Sequence, residues 1–196
     1  MGRRIILLWM LLVLAGCGFQ APHRIVPDYA KGATRLIALM PVDNKTADSV
    51  AAKMLREKML EELYFKGYPK IPLDFITAKL HQLDQGDVGK PASGTSPKTV
   101  GGLLAVDALL YCTLNTLNTS RYLLYSSTSL SLACELKSAK TGETLWQARY
   151  DTAKRNLGYS RSDLDLKVSQ VYEAAIQEAV TKVLETLPDG PDLLGS

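Results

Sequence analysis

Between Ala108 and Thr152 apolar and polar residues alternate, a period of two that suits strands covered on one face. "ALLYCTLNTLN" and "TSLSLACELKS" are two such runs, Thr141-Gly142 makes a turn, and Glu143–Thr152, "ETLWQARYDT", reads as the returning strand. Two consecutive antiparallel connections leave a long apolar face that helices elsewhere in the chain must cover. A long helix from Leu164 to Leu187, capped by Asp163, carries Val168, Val171, Ile176, Val180 and Val183 on a stripe too wide for a coiled-coil seam and suited to a sheet.

Upstream, Arg35–Val42, "RLIALMPV", reads as a buried strand. Asp48 or Ser49 caps a helix to Lys66 that Gly67 stops, with Ala52, Leu55, Met59 and Leu63 on its apolar face. Tyr68–Ile71 is expected to be a second strand ended by Pro72. Asp74 then caps a short helix, Phe75–Leu83, with Phe75, Ala78 and Leu83 inward. Residues 84–98 form a polar surface excursion. Ser96-Pro97 starts another helix, kept short by Gly101-Gly102, which reads as a place of close packing. The turn Ala105-Val106-Asp107 leads into the alternating region. The order β-α-β-α-α-β-β-β-α describes one α/β domain with a mixed sheet over residues 34–187, followed by a flexible tail, 188–196.

The amino terminus has a different character. Arg3 and Arg4 precede eleven uninterrupted apolar residues, Ile5–Ala15, too few for the ~20 that span a bilayer. Two arginines, a short apolar run and small residues match a secretory signal peptide over residues 1–16. Leu14-Ala15-Gly16-Cys17 resembles the bacterial lipobox, whose cysteine takes diacylglycerol on sulfur, becomes the first mature residue and is acylated again on its amino group. Two or more chains anchor stably where one does not, at about 0.8 kcal/mol per buried methylene. Cys17 is therefore the expected lipidation site. Residues 17–33, the lipidated cysteine and the stretch after it, form a tether, and His23 has no role beyond it. Removal of 1–16 takes away Arg3 and Arg4, so the net charge of +3 falls to +1. A near-neutral chain of this kind gives no footprint for nucleic acid.

Chemistry is sparse. His81 lies on a solvated helical face, and no nucleophile elbow, paired metal-ligand motif or phosphate-cradling loop occurs, so no catalytic residue, metal site or cofactor is expected. Asp43-Asn44 stand at the carboxyl end of the first strand, where α/β sheets place ligands, and a capped strand-to-helix loop is the favoured reading. Tyr122, Leu123, Leu124 and Tyr125, near a hairpin tip, are either a partner-binding patch or strand residues under helices; both readings stand. Cys112 and Cys134 oppose each other if paired positions sum to 246, which makes a disulfide available. Two reduced core thiols are favoured because directly paired strands strain the bond.

"GY" at 67–68, "AVDALLY" at 105–111, "SSTSLSLACEL" and "GETLW" at 142–146 together resemble a family of uncharacterised bacterial lipoproteins that includes a genome-derived meningococcal antigen. The resemblance spans roughly residues 35–155, with glycine usual in the family where Ala105 stands. A second departure is Pro69, where an aromatic or β-branched residue is usual. It implies a fold similar to the TolB amino-terminal domain and the core of the curli-secretion lipoprotein. It further implies a lipid-anchored, non-enzymatic protein of the outer membrane facing the periplasm, with Gly18 consistent with outer-membrane sorting. Such a protein would dock or scaffold a secretion, transport or envelope-assembly system. The expected partners are the membrane through its lipid, envelope proteins and a second copy of the chain. The alternative is a periplasmic carrier of a small molecule or lipid between sheet and helices.

Overall fold

The computed structural model describes residues 21–26, 34–86, 96–121, 125–157 and 161–191. Its strands are β1 (His23–Ile25), β2 (Ile37–Leu39), β3 (Asp43–Asn44), β4 (Ala108–Arg121), β5 (Tyr125–Ser138) and β6 (Thr144–Leu157). The helices are α1 (Ser49–Phe65), α2 (Leu73–Gly86), α3 (Pro97–Leu104) and α4 (Arg161–Leu184). They form a single α/β domain on one six-stranded mixed sheet of order β1-β6-β5-β4-β2, with β3 also beside β4. β2 and β3 run parallel to β4, and the other pairings are antiparallel.

The alternation has the expected consequence. Leu110, Cys112 and Leu114 of β4, Leu130, Leu132, Cys134 and Leu136 of β5, and Trp146 and Ala148 of β6 share one buried face. Ala51, Leu55, Met59 and Leu63 of α1, with Ile176, Ala179, Val180, Val183 and Leu184 of α4, cover it. Ala51, rather than Ala52, completes the α1 stripe at a spacing of four. A bulge at Asn115 moves the β4–β5 register from Leu114↔Leu132 to Thr116↔Ser131, which returns Leu117 to the covered face.

Among the described residues, the opposite face is covered at one side only. Ala38, Met40 and Leu109 meet Ile76 and Leu80 of α2 and Val100 and Leu104 of α3. The inward stripe of α2 is thus Ile76 and Leu80, with Leu73 and Leu83 half-buried. Phe75 is 45% exposed, against the expectation for Phe75 and Ala78. Leu73, Ile76, Leu80 and Leu83 make the longer continuous stripe at helical spacing, and burial follows it. Arg56 joins the layers, donating to the Leu39 carbonyl and the Thr77 hydroxyl, both at 3.1 Å.

Three further expectations change. Tyr68–Ile71 is not a strand: Pro69 lies within it and Pro72 follows it, and Tyr68 is buried with its hydroxyl donating to the Pro188 carbonyl at 2.9 Å. Part of the expected tether is the edge strand β1. The chain after α4 is docked through residue 191: Lys66 pairs with Asp189 at 2.8 Å, and a Cβ on Gly190 would stand 2.7 Å from the Gly67 backbone.

The caps at Asp48 and Ser96 and the stop at Gly67 are present, whereas Asp74 and Asp163, expected as caps, lie inside the first turns of α2 and α4, which begin at Leu73 and Arg161. Asp48 Oδ1 accepts from Ala51 N at 3.0 Å, Gly67 has φ +87°, and Ser96 caps α3 with Pro97 following. Ala105 takes the left-handed conformation at φ 53°, where the resembled family usually has glycine. The glycine pair of α3 splits in role. A Cβ on Gly101 would lie 2.3 Å from Ala139 Cβ, whereas Gly102 has open space. Gly101→Ala is expected to cost about 1–3 kcal/mol by overpacking, while Gly102→Ala gains about 0.5–1 kcal/mol of helix propensity. Urea unfolding of the two variants reads the opposite signs.

Candidate functional site

Among the described residues, none covers the sheet across β4, β5, β6 and β1 on the face away from α1 and α4. Tyr111 and Thr113, Ala133 and Glu135, Gln147 and Arg149, and Arg24 line a concavity of about 510 Å³ there. The arrangement follows from strand parity. Ala133 and Glu135 of β5 and Gln147 and Arg149 of β6 turn away from the core that Leu132, Cys134, Leu136, Trp146 and Ala148 fill.

Its charges are mostly matched within the face. Arg149 grips Asp151 through two bonds, 2.9 and 3.2 Å, and reaches Ser131 Oγ at 3.4 Å. The Ser131 hydroxyl, with Arg149, holds the Asp151 carboxyl below its ordinary range. Glu135 pairs with Lys137 at 3.2 Å and accepts from the Thr144 hydroxyl. Lys137 lies 5.8 Å from the Tyr111 ring centroid, and burial, then Glu135, pushes the Tyr111 hydroxyl up. This face can satisfy polar groups of a partner. It offers no acid, base and nucleophile in mutual reach, and among the described residues no group of three His, Cys, Asp or Glu could hold a metal.

Cys112 and Cys134 lie on the covered side of the same strands, and there the structure departs from the favoured reduced state by joining them in a disulfide. Their register is the expected direct opposition. The Cα separation of 4.2 Å is that of a non-hydrogen-bonded pair, where side chains approach closest.

Asp43-Asn44 form β3, and the loop behind them is internally satisfied. Asn44 Oδ1 accepts from the Thr46 N–H and hydroxyl, and its amide donates to the Asp48 carbonyl at 2.9 Å. Asp48 Oδ2 also accepts from the Tyr172 hydroxyl at 2.6 Å, clamping α1 to α4. That bond first, and the Ala51 N–H second, hold the Asp48 carboxyl below its ordinary 3.8. The stabilisation is complete above that value and is lost as pH falls through the lower folded value. Tyr172→Phe should therefore narrow the stability gap between pH 7 and the acid range, read from urea midpoints against pH.

Cys17, and Tyr122, Leu123 and Leu124 of the expected tip patch, lie outside the described residues; Tyr125 is half-buried at the start of β5. His81 is exposed on α2, and a His23 ring nitrogen lies 3.1 Å from the Ala21 carbonyl oxygen. Sequence reading missed the concavity because it depends on β1, a three-residue strand too short to show a period. The β-branched pair Ile25-Val26 was its only signal.

The family model "Putative lipoprotein GNA1162-like" matches residues 27–191. The chain belongs to the GNA1162-like lipoprotein family. The crystal structure of lipoprotein GNA1162 from Neisseria meningitidis is similar, with TM-score 0.55 and 22% identity, over 72% of this chain and 97% of that one. A PelC L103M dodecamer from Paraburkholderia phytofirmans matches with TM-score 0.50 and 13% identity, over 85% and 93%. Among curated proteins none matches the sequence. At these identities the two structures speak for the fold, and the family model speaks for membership.

Proposed function

We propose that this protein is an acyl-anchored, non-enzymatic component of the bacterial envelope, held to the outer membrane by Cys17 and facing the periplasm. Its domain docks or scaffolds a secretion, transport or envelope-assembly apparatus. The observation that carries the reading is the bare, self-neutralised sheet face around Tyr111, Glu135, Gln147 and Arg149, which suits another protein's polar surface better than a buried ligand. Family membership and the lipobox-like Leu14–Cys17 support the anchor. A carrier role has less support. Leu55, Met59, Leu110, Leu132 and Val180 are fully buried between sheet and helices, and the concavity lies on the other side of the sheet.

Self-association is a second form of docking, since PelC of similar fold is a dodecamer. A photo-crosslinking residue in place of Gln147 distinguishes the two in intact cells. An adduct with an envelope protein supports docking, one of doubled mass supports self-association, and the absence of both overturns the reading.

A further inference from the structure

The strand β1 changes how the domain can sit on a membrane. Ala21 is 1% exposed and packs in the main core beside Tyr150, and Arg149 N donates to the Pro22 carbonyl at 3.1 Å. Only four residue steps separate Ala21 from Cys17, a reach of about 14 Å even when extended. We propose that the outer edge of the sheet, formed by β1 and the free half of β6, is the surface that faces the lipid bilayer. The proposal rests on acylation of Cys17.

Reach excludes the other described flanks. The edge formed by β2, with α2 and α3, is four strand spacings from β1, about 19 Å away. Leu157 at one end of β6 is seven residues from Tyr150, about 23 Å, and Thr144 at the other is six, about 20 Å. On one face the helices α1 and α4 intervene. On the other, α2 and α3 stand out beside the bare strands and keep a flat bilayer off them.

The chemistry of the edge agrees. Ile25 is 36% exposed on the outermost strand, and Arg24 and Val26 beside it are exposed at the rim between that edge and the bare face. Arg155 is exposed on β6, and no acid occurs from Thr152 to Ser162. Apolar side chains beside cations fit the boundary between acyl chains and anionic headgroups. Among the described residues only β1 borders the outer edge of β6, along Trp146–Ala148, so Asp151–Leu157 presents strand backbone that invites pairing with other chains. Turning this edge to the membrane removes it from such encounters while leaving the bare face open to the periplasm.

The test uses the full acylated protein, purified from membranes and reconstituted in phosphatidylethanolamine–phosphatidylglycerol vesicles. Arg155→Cys and His81→Cys each carry an environment-sensitive fluorophore, and nitroxide-bearing lipids quench it. The expected result is quenching several-fold stronger at position 155 than at 81. That difference should disappear when a Gly-Ser linker of about 20 residues, spanning roughly 25 Å, is inserted between Gln20 and Ala21. Equal or reversed quenching without the linker overturns the orientation alone. A chain that fails to float with vesicles overturns the anchor and the orientation together.

Discussion

Trp146→Ala is expected to lower the unfolding free energy by about 3–5 kcal/mol, the cost of a large cavity where the surroundings cannot collapse. Trp146 is fully buried on β6, opposite Leu136 on β5 and Ile25 on β1. Its indole N–H donates to Thr186 Oγ1 at 3.2 Å, and that hydroxyl donates in turn to the Val183 carbonyl at 3.3 Å. One side chain therefore fills the core, ties the sheet to the end of α4 and backs the edge strand. Trp146→Phe keeps most of the volume and loses the indole hydrogen bond, so its cost should fall to about 1–2 kcal/mol. Guanidinium unfolding of both variants checks the order; a loss below about 1 kcal/mol for the alanine variant would show that the site repacks.

Replacing Cys112 and Cys134 together by alanine should cost about 3 kcal/mol, because the bond closes a loop of 22 residues and restricts the unfolded chain. The bond spans two strands already in register, so its main effect lies in the unfolded state. With reductant present during unfolding, wild type and double variant should converge. Wild-type stability that ignores reductant would mean the thiols are free.

Much of the fold was legible because its signals are local and periodic. The alternation from Ala108 to Thr152, the cap at Asp48, the stop at Gly67 and the proline start at Pro97 each express a backbone preference in a few residues. What failed needed tertiary information. Tyr68–Ile71 has strand composition, yet Tyr68 is held by Pro188, 120 residues away. On α2 the longer stripe Leu73, Ile76, Leu80 and Leu83 outweighs Phe75 and Ala78, and its contact with Met40 and Leu109 fixes the choice. β1 owes its existence to the open edge of β6 rather than to its own residues. The candidate site was hidden for that reason: odd-numbered strand positions look solvated in sequence, and their meeting in one concavity depends on register.

Mass spectrometry of the protein extracted from its native membrane tests the anchor at Cys17 directly. The amino-terminal peptide should begin at Cys17 and carry diacylglycerol on sulfur with an acyl group on nitrogen. Cys17→Ser should abolish both cleavage and acyl mass. A mature chain that begins elsewhere, or begins at Cys17 without acyl mass, would contradict the account.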